Sequence, residues 1–239
     1  MDRYVIESYP PTDQLIADGI VWLYGEAFTK GTDGAVLVPQ AQHIPRLSAG
    51  VGKKLSSEDR KFFRDGLDIQ VLIAREQLSA FSGPLLVVWA NAEMMASAEH
   101  LAPPAICATS WEEDGLTDWI RVWGATDPRT NEHHPAEPAK PVLIGAVRSM
   151  ALDVLHSTDK RRAVDALKAL KLCEREIDPH VIRAQASQCG WPPRAADRLY
   201  ELAKKMAEGK ALQGGSKLTK TKAKEVGIRF ETAGSAAMQ

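Results

Sequence analysis

Residues 185–205, with the sequence QASQCGWPPRAADRLYELAKK, have the spacing of a DNA-reading helix-turn-helix unit. Such a unit places a small residue four positions before a turn glycine, and Ala186 and Gly190 have that separation. The apolar residues Ala196 and Leu199 then face the first helix. The stretch therefore predicts two helices joined by a tight turn. Two interpretations stay open, a DNA-contacting pair and a packing hairpin.

The second helix of this pair carries cations on the side opposite its apolar residues. Arg194, Arg198 and Lys205 share one face, as contact with phosphates requires, although many surface helices have the same pattern. Gln185, at a usually apolar position, and the double proline after Trp191 depart from the helix-turn-helix pattern. The residues predicted to contact nucleic acid are Lys160, Arg161, Arg162, Arg194, Arg198, Lys204 and Lys205.

A second set of polar residues follows the short apolar runs of the first half. Ligands of parallel α/β sheets bind beyond the carboxyl ends of the strands, so the residues directly after each run are candidates for chemistry. They supply a base, a polar anchor and carboxylates for a metal or a nucleotide. The ligand-binding candidates are His43, Asn91, Ser110 and Glu112. The acids at 112–114 have a simpler alternative role, which is to stabilise the positive end of the following helix.

No established catalytic motif accompanies these residues. The sequence has no GxGxxG after its first strand, no GxSxG and no HExxH. The stretch SAGVGKKLSS at 48–57 resembles a phosphate loop, but Leu47 stands where a glycine is needed and Lys54 where Ser or Thr is needed. We therefore expect no cofactor and no catalytic residue. An enzyme with a nucleotide- or metal-dependent site at the strand ends is the alternative.

The histidines and cysteines do not have the spacing of a metal site. His133 and His134 are adjacent in a proline-rich stretch without a third ligand nearby. Cys107, Cys173 and Cys189 are far apart and form no CxxC pair. We expect a solvated histidine pair, reduced buried thiols and no metal.

The elements that must position the first-half candidates alternate between strand and helix. Apolar runs typical of buried strands lie at 34–40, 68–74, 84–90 and 104–110. Segments with helical periodicity lie at 56–67, 91–101 and 113–124. This alternation predicts an α/β fold with a small, mainly parallel, Rossmann-like sheet.

The second half is expected to be an all-α helical domain. Its helices have explicit start and stop signals, such as Asp178 before Pro179 and the stop at Gly190. The predicted organisation is an α/β domain at 1–125, a proline-rich linker at 126–140, a helical domain at 141–210 and a basic flexible tail at 211–239.

Charge is unevenly distributed between the halves. Residues 1–159 hold 13 Lys or Arg against 22 Asp or Glu, whereas residues 160–239 hold 17 against 9. A basic half in a chain of net charge −1 points to nucleic acid or to an acidic protein surface. The alternative is that the halves attract each other or a neighbouring subunit.

These patterns favour a protein that acts by binding. We expect a non-enzymatic accessory or regulatory subunit of a protein complex. Its basic helical half binds nucleic acid, with DNA the favoured type, and its acidic α/β domain binds a protein partner or senses a small ligand. A structural assembly subunit is a further alternative. No apolar run reaches the roughly 18 residues of a membrane span, and the N-terminus lacks a signal-peptide pattern, so we expect a cytoplasmic protein without a membrane partner.

Overall fold

The computed structural model divides the chain into two compact units, Met1–Glu137 and Pro138–Gln239. The residues that the structure describes are 1–7, 12–64, 66–74, 76, 81–110, 112–137, 139–150, 157–173, 175 and 177–238. The first unit is built around a sheet and the second is helical. The predicted order of an α/β domain followed by an all-α domain is confirmed.

Within the described residues, eight strands of the first unit form one sheet in the order β3-β4-β2-β5-β6-β1-β7-β8. The strands are β1 (Asp2–Ile6), β2 (Gly34–Val38), β3 (Lys61–Arg64), β4 (Leu67–Ile73), β5 (Leu85–Ala90), β6 (Ala105–Ser110), β7 (Ala125–Thr126) and β8 (His133–His134). The central pairs are parallel, whereas β3 and β8 pair antiparallel at the two edges. The mainly parallel, Rossmann-like sheet predicted from the apolar runs is confirmed.

Different segments bury the two faces of the sheet. The helices of this unit are α1 (Asp13–Lys30), α2 (Ser48–Val51), α3 (Ala92–Leu101) and α4 (Thr117–Trp123), with a 3-10 helix at Ala41–Leu47. One face packs Val36 and Val38 against α1 and the segment after β2. The other packs Ala35 and Leu37 against α3 and α4. Successive residues of a strand thus serve opposite cores, which explains why these strands are apolar along their whole length.

The prediction of a helix at 56–67 is wrong. Asp59 accepts hydrogen bonds from the backbone N–H and the hydroxyl of Ser56, which closes a turn instead of capping a helix. In the strand that follows, Phe62 is buried and Phe63 is exposed, the period-two pattern of an edge strand. The pattern also failed to predict β1 and α1; α1 leaves Val21 and Phe28 exposed beside its buried face, which blurs its helical periodicity.

The predicted linker at 126–140 differs from the structure. Residues 125–126 and 133–134 form β7 and β8, and the first unit extends to Glu137. Arg129 stabilises this extension, because its guanidinium contacts the carboxylate of Asp127 and donates to the backbone oxygen of Glu7 at 2.9 Å. A proline-rich stretch can therefore continue an edge of the sheet.

The second unit consists of helices packed around one apolar cluster. Its helices within the described residues are α5 (Pro141–Ser149), α6 (Ser157–Leu172), α7 (Pro179–Gln188), α8 (Pro193–Ala207) and α9 (Lys220–Ala237). Asp178 caps α7 by accepting from the backbone N–H groups of His180 and Val181, as the sequence predicts. Residues 151–156, the end of the apolar stripe that begins at Pro141, lie outside the described residues.

The segment predicted as a flexible tail is packed in the structure. Ala223 and Phe230 of α9 are buried in the core of the helical unit. The preceding loop is held to α6, since Asp165 accepts from the backbone and the hydroxyl of Ser216 and Lys168 donates to the carbonyl of Gly214. Residues 211–238 therefore belong to the folded unit. None of the helices in the described ranges has the length and apolarity that a membrane crossing requires.

Candidate sheet-end site and basic helix face

A cavity of about 180 Å³ lies beyond the carboxyl ends of β2 and β5. The described residues that line it are Pro39, His43, Trp89, Ala90, Asn91 and Glu112. Three of the four predicted ligand residues, His43, Asn91 and Glu112, thus come together around one space. They lie together because the ends of adjacent parallel strands meet at one edge of the sheet, as the sequence predicts.

The cavity lies where the chain leaves adjacent strands toward opposite faces. The segment after β2 buries Ile44 and Leu47 against one face of the sheet. Helix α3, which follows β5, buries Met94 and Met95 against the other. Because β2 and β5 are neighbours, their connections diverge and open a crevice between them. This topological switch point is where open α/β sheets bind ligands.

Trp89, which lines this crevice, has a strained backbone. Its φ angle is +54°, a left-handed conformation that bulky residues rarely adopt, and the β5–β6 pairing is irregular between Val87 and Ala90. The hydroxyl of Thr109 accepts a hydrogen bond from the Trp89 backbone N–H at 3.3 Å. Backbone strain of this kind concentrates at functional sites. The sequence did not predict this strained bulge at Trp89, because a bulge inside an apolar run leaves no local signal.

The three predicted polar residues after β5 and β6 have different roles. Asn91 caps α3, since its Oδ1 accepts from the backbone N–H of Met94 at 2.9 Å. The Ser110 hydroxyl donates to the backbone oxygen of Glu112 at 2.8 Å and accepts from its N–H at 3.1 Å. Ser110 therefore shapes the turn after β6 and does not line the cavity. The side chain of Glu112 is exposed at the cavity mouth.

His43 lies against Trp89, with the two ring centroids 5.4 Å apart. Burial, followed by the positive charge of Arg46, lowers the pKa of His43 below its ordinary value. The imidazole is thus neutral at pH 7, and a neutral ring offers a ligand one donor and one acceptor.

We expect an NMR titration to place the His43 pKa below about 6.5, and Arg46→Ala to raise it. The folded pKa lies below the unfolded one, so protonation favours the unfolded state, and the stability contributed by this group falls as the pH decreases below about 6.5. A His43→Gln variant identifies the signal. A His43 signal that titrates at or above the ordinary value contradicts this prediction.

Within the described ranges, no three His, Cys, Asp or Glu side chains are arranged to hold a metal ion. His133 contacts Thr126 across the β7–β8 pair at 3.1 Å. The cysteines are free thiols, Cys107 fully buried and the other two half-buried. Burial raises the pKa of the Cys107 thiol well above its usual range.

A second candidate surface is the outer face of α8. The inner face buries Ala196, Leu199 and Ala203 in the core of the helical unit. The predicted contact residues of α8, namely Arg194, Arg198, Lys204 and Lys205, are all exposed. Arg194, Arg198 and Lys205 lie on one stripe that also contains the exposed Glu201. At 1.5 Å per residue this stripe spans roughly 16 Å, enough to follow several phosphates.

The turn between α7 and α8 is tight and internally bonded. Gly190 has a left-handed φ of +81°, and the Trp191 N–H donates to the carbonyl of Ala186 at 3.0 Å. The Trp191 ring is buried in the core, and Gln185 is buried as well. An ion pair between Arg183 and Asp197 joins the two helices. The geometry fits both the helix-turn-helix and the packing-hairpin interpretation of this stretch.

The basic run of α6 is also exposed, but it is not joined to α8. Arg162 pairs with Asp159 at 3.8 Å, and Arg161 donates to the hydroxyl of Ser216 at 3.4 Å. At the other end of α6, Lys171 donates to the carbonyl of Met206 in α8. Lys160 is about 16 Å from this contact along the helix axis. The predicted cations therefore divide into an α8 set and an α6 set.

Comparison with known proteins adds one similarity. A family model described as "Domain of unknown function (DUF1889)" matches residues 142–225, about a third of the chain. The match covers α5 to α8 and ends inside α9. No curated protein and no solved structure is significantly similar to the chain.

Proposed function

We propose that the protein is an accessory subunit that binds nucleic acid through the outer face of α8. The observation that carries the proposal is the separation of α8 into a buried apolar face and an exposed face with Arg194, Arg198 and Lys205. This is the arrangement that a helix needs to pack on its own unit and contact phosphates at the same time. The helix-turn-helix interpretation adds duplex DNA as the target.

The distribution of charge between the units supports this proposal. Residues 1–137 hold 11 Lys or Arg against 20 Asp or Glu, and residues 138–239 hold 19 against 11. The change of sign coincides with the boundary between two folded units. The basic unit attracts phosphates by long-range steering, and the acidic unit repels them. We propose that the acidic unit binds a protein partner.

The proposal predicts salt-dependent binding of duplex DNA that depends on two arginines. Replacing Arg194 and Arg198 with alanine is expected to flatten the plot of log affinity against log salt by up to about two units and to weaken binding roughly 50-fold at 0.1 M salt. Both side chains are exposed, so the fold is retained. Glu201→Gln is expected to strengthen binding, because it removes the acid of the same stripe. Fluorescence anisotropy with a labelled duplex measures the affinity of the wild type, of the double arginine variant and of Glu201→Gln.

The matched control uses lysines outside α8. Deleting the segment after Gly209 is unsuitable, because that segment supplies Phe230 to the core. A Lys217→Ser, Lys222→Ser variant removes the same charge from exposed positions. If this control and the double arginine variant lose the same amount of duplex affinity, the duplex is bound by the overall positive charge of the helical unit and not by the α8 face. If the full chain binds no duplex at low salt, the proposal fails and the basic unit serves a protein partner.

A small-ligand site at the sheet end is the second candidate. The specific observation is the crevice between β2 and β5, with the strained Trp89 and the neutral His43 at its walls. A ligand in this cavity contacts the His43 ring, so AMP is a suitable first probe of the nucleotide alternative. Binding of AMP is expected to shift the NMR signals of His43 in the wild type. If the Asn91 side chain orients the ligand, this shift is expected to be lost in Asn91→Ala. If the protein catalyses a reaction, and His43→Ala loses that activity while it retains the fold, the protein is an enzyme with His43 in its site.

A further inference from the structure

The helical unit contains its own cavity, of about 390 Å³, between α5, the end of α6 and α9. Its volume is within the range of small-ligand pockets. Val142, Leu172 and Ile228 give it apolar walls, and Gly227 and Cys173 also line it. Ile228 is 66% exposed although it is a large apolar residue. An occupant with an apolar part would remove the Ile228 side chain from water, which is favourable.

Among the described residues, the rim of this cavity has an excess of positive charge. Lys220 and Lys224 lie one turn apart on α9, where like charges repel. Neither lysine forms an ion pair within the part of the chain that the structure describes. Glu231, the acid among the described lining residues, lies 3.4 Å from the guanidinium of Arg175. The two lysines are therefore placed to share an anion that enters the cavity.

We propose that this cavity binds a small anionic amphiphile, a carboxylate or phosphate monoester attached to a short apolar body. The anionic group lies between Lys220 and Lys224, and the apolar body lies against Val142, Leu172 and Ile228. An inorganic anion leaves the apolar walls unused, and a neutral ligand leaves the lysines unneutralised. A nucleic-acid duplex is too large to enter. The site uses none of the α8 residues and is independent of the nucleic-acid proposal.

Calorimetric titration of the full chain with octyl phosphate and with octanoate tests the site and separates the two anionic groups. Saturable binding of one ligand per chain is expected for at least one of them. Lys220→Ser and Lys224→Ser are each expected to weaken it roughly tenfold, since each removes a charge-assisted hydrogen bond. Ile228→Ser is expected to weaken it through loss of apolar contact. All three positions are exposed, and circular dichroism verifies that the variants fold.

The matched control is Lys222→Ser, which removes an exposed lysine of α9 that does not line the cavity. Its binding is expected to equal that of the wild type, as is that of Arg194→Ala, Arg198→Ala. Three results overturn the proposal: no saturable binding of either ligand, equal weakening by Lys222→Ser, or equally tight binding of 1-octanol or inorganic phosphate.

Discussion

Replacing Gly234 with alanine is expected to destabilise the helical unit by about 3 kcal/mol or more. A β-carbon at position 234 would overlap the backbone carbonyl oxygen of Pro141. The reciprocal contact lies one turn away, where a β-carbon at Gly145 would overlap the carbonyl oxygen of Phe230. Helices α5 and α9 therefore cross backbone to backbone. A helical carbonyl cannot rotate aside as a side chain can, so the two helices must separate.

Urea unfolding followed by circular dichroism measures this loss, and hydrogen exchange of the α5 and α9 amides localises it to the crossing. Gly227→Ala is the matched control on the same helix, because the nearest atom to its new β-carbon is the Cys173 sulfur at 3.0 Å, the end of a movable side chain. Its effect is expected to stay within about 1 kcal/mol, since alanine also favours the helix. Equal stability of Gly234→Ala and the wild type contradicts the close crossing.

This crossing explains why the sequence failed to predict α9. The helix begins with lysines and packs with small residues, among them Ala223, Gly227 and Gly234, instead of a stripe of leucines. Small residues carry little hydrophobic signal, and glycine lowers helix propensity. The stabilising contact is with α5, almost 90 residues earlier in the chain, and no local pattern reports it. The family match, which ends at residue 225, stops before both Phe230 and Gly234.

The parts of the fold that the sequence predicted depend on local chemistry. Asn91 and Asp178 have cap geometry because a short polar side chain before a helix satisfies the free N–H groups of its first turn. The strand runs were predicted because strands buried on both faces are apolar throughout. The edge strand β3 was missed because the acidic residues at 58–59, just before it, have the pattern of the first turn of a helix.

The candidate sites were predictable to a similar degree. His43, Asn91 and Glu112 meet because strand ends converge, which is a rule of topology that needs no contact information. The strained Trp89 depends on the bulge between β5 and β6, and the cavity of the helical unit depends on three helices, α5, α6 and α9, that are far apart in sequence. Both are products of tertiary packing, so only the structure reveals them.

Replacing Glu99 with alanine is expected to destabilise the α/β unit by about 3 kcal/mol. Glu99 is only 8% exposed and accepts three hydrogen bonds. Arg3 donates two of them, from Nε at 2.8 Å and from a terminal nitrogen at 2.9 Å, and Trp119 Nε1 donates the third at 2.9 Å. The Arg3 guanidinium also lies 4.2 Å from the ring centroid of Trp123. One carboxylate thus joins β1, α3 and α4, and its removal leaves a cation and a buried indole N–H without their acceptor.

The measurement is urea unfolding of three variants. Glu99→Gln retains one acceptor oxygen but loses the charge, so it is expected to lose less stability than Glu99→Ala. Arg3→Met combined with Glu99→Met replaces both charges with apolar side chains and is expected to recover much of the loss, since a paired set of buried charges adds little net stability. A double variant as unstable as Glu99→Ala shows that the cost lies in packing or in the Trp119 N–H instead of the uncompensated cation. Asn91 caps α3 and lines the sheet-end cavity, so the same series also tests whether this cavity depends on the Glu99 carboxylate. The His43 signals are expected to broaden in Glu99→Ala and to sharpen again in the double variant.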